Sequence, residues 1–197
     1  MVNASTKIGE RMSGQVIKTG FWTGVDLDAP DFAHLNDIVL DSGPDDSIFL
    51  GDYLHGVCSV AAIALHDVFG YQVLSLYDEN EAKKYGIKSK YSPIFPIIHD
   101  FCYDPKHRVY IDVRGAISQF DVFVSEFDDF IDDPKCARNW VTKIGFPSRY
   151  FSSCQKCLGE DTLMYYYTTI VSWIKAHKDM YMVCDEPTSA ENGGKHD

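Results

Sequence analysis

The chain has 197 residues, 45% of them hydrophobic and 14% aromatic, and a formal net charge of −11. That is enough apolar material for one core, and the acidic balance disfavours nucleic-acid backbones and anionic membrane surfaces as partners. No run of about 18 apolar residues offers a membrane span; residues 1–20 lack the apolar centre of a secretory leader. The expected compartment is therefore the cytoplasm, with the six cysteines as free thiols rather than a disulfide framework.

Taken in chain order, QVIKTGFWTGVDL (15–27) has strand-like apolar residues broken by glycines. DFAHLNDIVL (31–40) places Phe32, Leu35 and Ile38 at helical spacing, and DSGPDD (41–46) reads as a loop. Residues 59–69 read as an alanine-rich helix with Ala61, Ala62, Leu65, Val68 and Phe69 on one face and Gly70 as its stop. YQVLSLYD (71–78) alternates like a strand, ENEAKKYGIKSKYSP (79–93) is a long connection, and IFPIIHDFCYD (94–104) is a strand from Ile97 onward. PKH (105–107) turns the chain into RVYIDVRG (108–115), a strand closed by Gly115, so that the two form a hairpin. SQFDVFVSEFDDFIDD (118–133) reads as a helix capped by Ser118, burying Phe120, Phe123, Val124, Phe127 and Phe130. Residues 134–160 read as irregular, and 162–180 as a last helix. The order predicts one α+β domain over 1–184 and a loose tail, DEPTSAENGGKHD, over 185–197.

One constellation stands out. A thiol nucleophile needs a base, and the base an orienting partner. Cys58 opens the predicted helix, where partial positive charge favours a thiolate. His99 and Asp112 lie on the two strands of the hairpin. Centring the turn near Lys106 puts His99 roughly opposite position 112 or 113, with Asp112 sharing a polar strand face with Tyr110 and Arg114.

The stretches GVCSVAAIALHDVFGYQV and HDFCYDPKHRVYIDVRG together resemble the papain-like superfamily in its widest sense, including its transglutaminase-like and NlpC-type branches, over about residues 56–116. The arylamine acetyltransferases share the order cysteine, histidine, aspartate, and small bacterial and phage proteins of unassigned activity share the spacing. The resemblance implies a papain-like or transglutaminase-like core, with a cysteine-bearing central helix packed on an antiparallel sheet. It implies Cys58 as nucleophile, His99 as base and then acid, and Asp112 as orienter. The activity implied is hydrolysis or acyl transfer at an amide bond by a peptidase, amidase or deamidase, with a protein or peptide as substrate.

Where papain-like peptidases carry a glutamine, this chain has GDYLHG, so the expected oxyanion donor beside the Cys58 N–H is Tyr53 or His55. The second reading of the same fold is a catalytically inactive binding module or inhibitor of a host protein, favoured by the acidic charge and the missing glutamine. SSCQKC contributes one C-x-x-C, Cys154 and Cys157, which with Cys136 and Cys184 would make four thiolates. Without a second pair at zinc-site spacing, no metal or other cofactor is expected.

Overall fold

The computed structural model describes residues 35–42, 47–84, 97–131, 133–141 and 158–183. The strand-like 15–27, the start of the predicted 31–40 helix, residues 43–46 of the predicted 41–46 loop, residues 85–93 of the long connection, Cys154, Cys157, Cys184 and the 185–197 tail lie outside them.

The described chain is mixed α+β. A two-stranded pair, β1 (Val39–Ser42) and β2 (Ser47–Phe49), leads through a 3₁₀ turn (Leu50–Tyr53) to α1 (Cys58–Phe69). Then come β3 (Gln72–Asp78), α2 (Glu79–Lys84), β4 (Ile97–Asp104), β5 (Val109–Asp112), β6 (Gly115–Ile117), α3 (Phe120–Ser125), β7 (Ala137–Val141), α4 (Glu160–Ala176) and α5 (Lys178–Tyr181). The main sheet has five antiparallel strands in the order β6-β5-β4-β3-β7. Among the described residues, no helix is long and apolar enough to cross a membrane.

Alternation on β4 divides the layers. The Cys102 thiol donates to the Ala62 carbonyl of α1 at 3.1 Å, so Asp100 and Cys102 share the face that α1 covers. His99 and Phe101 point the other way, into the rings of Phe123 and Phe127 on α3 and the turn after it. Behind α1 lies α4, tied to it by the Tyr167 hydroxyl, which donates to Asp67. The core thus fills both sides of the sheet, with Leu65, Leu74, Leu76, Phe101, Ile111, Phe123, Phe127 and Ile170 buried.

The helix containing Cys58 forms where its alanines predict, and ends at Gly70, whose left-handed φ of 76° lets its N–H reach the His66 carbonyl. Elsewhere the structure departs from the sequence reading. By Val39 the predicted 31–40 helix has given way to β1, which also takes Asp41 and Ser42 from the predicted loop. The connection after β3 begins as α2, because Asp78 accepts the N–H groups of Asn80 and Glu81 and caps it.

The single strand expected over 108–115 is two. The chain reverses between Asp112 and Gly115, and Gly115 sits at φ +106° with the Met180 carbonyl only 3.0 Å from where a Cβ would stand. The Tyr181 hydroxyl donates to the Val113 carbonyl, so α5 clamps this turn from outside.

The 118–133 helix is cut to α3, with Gln119 rather than Ser118 at its N-cap and no side-chain cap bond, followed by a 3₁₀ turn (Asp128–Phe130). Asp128 and Asp129 occupy the first turn of that 3₁₀ segment, where acidic side chains suit the helix dipole, and Phe130, expected inside, is 59% exposed. Within the stretch read as irregular, β7 completes the sheet beside β3. The last helix breaks at His177 into α4 and α5.

Candidate active site

Cys58 is the first residue of α1, partly exposed, after Gly56 at φ +127°. No side chain caps this helix end. Its sulfur lies 3.4 Å from the nitrogen of the peptide that joins His99 to Asp100, and that N–H donates to it. The helix N-terminus is thereby fixed against the backbone N–H of Asp100.

The structure brings His99 and Asp112 together. The ladder pairs Cys102 with Ile111 and Asp104 with Val109, one to two residues off the register expected from sequence. Continuing it sets Phe101 opposite Asp112 and His99 opposite Arg114, so Asp112 is the diagonal neighbour of His99 on the same face. His99 Nε2 is 3.0 Å from Asp112 Oδ2. The face is not an open polar one: His99 is 0% and Asp112 2% exposed, because Phe123 and Phe127 close over it.

Arg114, which the sequence reading gave no role, completes the cluster. Its Nε and Nη2 donate to Asp112 Oδ2 at 3.1 and 2.7 Å, and its Nε and backbone N–H to Oδ1 at 3.1 and 2.9 Å. Nη2 also donates to the Phe123 carbonyl at 3.0 Å. The signal available in sequence was the Asp-x-Arg spacing, which places a cation and a carboxylate on one strand face.

Burial alone would raise the Asp112 carboxyl. The Arg114 charge and the His99 hydrogen bond overcome it and hold the group well below the usual carboxylate range. His99 is lowered: burial disfavours its charged form and outweighs the Asp112 contacts, with Arg114 and His55 adding like charge. An ionised carboxylate only accepts hydrogen bonds, so Nε2 carries the ring proton. Nδ1 is then a bare lone pair, buried and without a hydrogen-bond partner among the described residues. The cluster can therefore hold a base lone pair out of water and fix the tautomer and direction of the ring that carries it.

Of the two residues expected to donate to an oxyanion, Tyr53 is spent elsewhere. It is fully buried, and its hydroxyl donates to the Tyr166 carbonyl of α4 at 2.7 Å. His55 stays close to the cluster, its ring 5.6 Å from that of Phe127 and its Nε2 3.3 Å from Glu126 Oε1. The ring of exposed Phe130 also lies near this imidazole, 5.9 Å between centres. Cys102 is buried and Cys136 partly exposed, and no group of three or more metal-ligating side chains occurs among the described residues.

On the α1 side, Asp100 is buried and accepts from the Ser75 hydroxyl at 2.6 Å. Burial pushes its carboxyl up to about 7 against the lowering effect of that bond. A carboxyl with a raised native pKa binds more protons folded than unfolded, so its contribution to stability is lost as pH rises from about 4 to 7. Asp100→Asn keeps an acceptor for Ser75 without the charge. We expect it to gain about 1–3 kcal/mol at pH 8 and little at pH 4, read by urea unfolding at the two pH values. The same change at both would mean that the carboxyl is not the cause.

Comparison with protein-family models, with curated proteins and with solved structures finds no match for this chain.

Proposed function

We propose that this chain is a cysteine-dependent hydrolase or acyltransferase acting on an amide bond, with Cys58 as nucleophile, His99 as base and Asp112 as orienter on a papain-like or transglutaminase-like core. The observation that carries the reading is the buried, unpartnered Nδ1 of His99, whose other nitrogen is fixed by Asp112, beside the peptide that holds the Cys58 sulfur.

In this reading, substrate binding brings the thiol past the peptide between His99 and Asp100, from the α1 side of the sheet to Nδ1 on the other, a contact made only in the complex. The thiol proton passes to Nδ1 while the sulfur forms a bond to the carbonyl carbon and the C=O π pair moves onto oxygen. N–H groups at the start of α1, with His55 beside them, receive that oxyanion. Collapse breaks the C–N bond, Nδ1 returns its proton to the leaving amine, and water or an amine then releases the thioester. Peptidase, amidase and deamidase chemistry share these steps. A peptide or protein in the cytoplasm is the proposed substrate.

The test is acylation by p-nitrophenyl acetate, mapped to individual cysteines by peptide mass spectrometry. Cys58 is expected to acylate ahead of Cys102 and Cys136, and His99→Ala to slow it by about 10²-fold. A Cys58 that reacts no faster than the other thiols, or ignores the loss of His99, ends the catalytic reading.

That outcome would favour the second reading, an inactive binding module of the same fold. The full burial of His99 and the absence of a thiol contact at Nδ1 are the observations on its side.

A further inference from the structure

We propose that Arg114 is a positioning residue: its guanidinium locks the Asp112 carboxylate and cancels its charge, so that His99 rests as a neutral imidazole with its proton on Nε2 and its lone pair on Nδ1. For its use in catalysis this rests on the reading above; as a statement about the imidazole it stands alone.

The geometry is one of saturation. A carboxylate offers about four lone-pair directions, and Asp112 receives the Arg114 N–H, both edges of the Arg114 fork and His99 Nε2. Nothing in that arrangement lets the carboxylate turn away from His99. The guanidinium is itself pinned, bonded to the Phe123 carbonyl and lying 5.0 and 5.4 Å from the ring centres of Phe123 and Phe127. Its backbone sits in the turn that α5 clamps at Val113 and Gly115.

Charge follows from this. A buried aspartate alone beside His99 would draw a proton onto the ring and form an ion pair. With Arg114 present, Asp112 is already neutralised. A proton on His99 would then leave net positive charge among Phe101, Phe123 and Phe127. The other charged groups near the ring do not change this: His55 adds like charge when protonated, and Glu126 serves His55. The resting imidazole is therefore neutral, so in the catalytic reading it takes the Cys58 proton during attack rather than holding it beforehand as an imidazolium.

The test is NMR of His-labelled protein, which reads the tautomer and pKa of His99 from its ring nitrogen and carbon shifts. Wild type is expected to show neutral Nε2–H at pH 7, titrating below the free-histidine value of about 6.5. Arg114→Gln is expected to raise the His99 pKa by about one to three units, whereas Arg114→Lys keeps the charge and the low value. A folded Arg114→Gln with unshifted His99 overturns the proposal. So does wild type with an imidazolium or an Nδ1–H tautomer at pH 7, a result available even if Arg114→Gln does not fold. An inert Cys58 beside a neutral Nε2–H ring sinks the catalytic reading and leaves this one standing. A reactive Cys58 beside an imidazolium does the reverse.

Discussion

Replacing Asp112 by alanine is expected to cost about 3–5 kcal/mol of folding stability, because it strands the Arg114 guanidinium and the His99 ring in the interior without their shared acceptor. Arg114 is 2% and His99 0% exposed, so neither can recover its bonds from water without opening the layer of Phe123 and Phe127. Among the described residues, the Phe123 carbonyl would remain as the acceptor for the guanidinium and would not neutralise it. Asp112→Asn separates the two contributions: it keeps an acceptor oxygen and the side-chain volume, and loses the charge. The pH dependence carries a sign. Asp112 is held below its unfolded value, so its stabilisation is complete above about pH 5 and is lost as pH falls toward its native pKa. Urea unfolding should therefore show a gap between wild type and Asp112→Ala that is widest near neutrality and narrows below pH 4. A gap under about 1 kcal/mol at pH 7 would be incompatible with a buried ion pair at this position.

Phe127→Ala is expected to cost a similar amount, about 3–5 kcal/mol for a buried aromatic cut to a methyl. The consequence for chemistry matters more. The Phe127 ring stands 4.6 Å from that of His99 and 5.6 Å from that of His55, and shares the cover over Arg114 with Phe123. Burial is the largest influence pushing the His99 pKa down, and the cavity left by Phe127 opens beside an orphaned ring nitrogen that can hold water. His99 should then titrate closer to an ordinary histidine, with Asp112 still bonded at Nε2. Phe127→Leu, which refills most of the volume without polar atoms, should recover most of the stability and keep the low pKa. Unfolding measurements and the His99 ring shifts of both variants decide this. A His99 titration identical in wild type and Phe127→Ala would show that the aromatic layer is not what desolvates it.

The pairing of His99 with Asp112 was legible because it depends on local quantities: two strand patterns, a short turn, and alternation within each strand. An error of one to two residues in register did not separate them, since a diagonal neighbour on the same face is still within reach of an imidazole. What covers that face was not legible. Tyr110, Asp112 and Arg114 read in sequence as one polar strand face, active site or outside alike, and only the return of Phe123 and Phe127 over them makes it an interior. For the same reason the sequence assigns Arg114 no role until its turn is buried. Asp78 and Glu81 did carry the start of α2 as a capping pattern, hidden inside a stretch dominated by lysines. In β7, Ala137, Arg138 and Asn139 have neither alternation nor branching, and its place is set by the free edge of β3 rather than by its own preference. Tyr53 illustrates the opposite error: a hydroxyl close in sequence to Cys58 answers instead to a carbonyl on α4, far along the chain.

The turn between β4 and β5 touches none of these groups, yet it sets their phase. Its four residues, 105–108, are gathered under the Asp104 carboxylate, which accepts the Lys106 and His107 N–H groups and pairs with the His107 ring, with Arg108 held at φ 57° to complete the reversal. Because strand side chains alternate, inserting or deleting a single residue here would rotate β5 by half a period. Ile111 or Val113 would then face His99, and Asp112 would be driven into the layer beneath α1. The length of an outward-facing loop, rather than its composition, is thus one of the coordinates of the buried cluster, and a frame-preserving change at the rim would rewrite the interior.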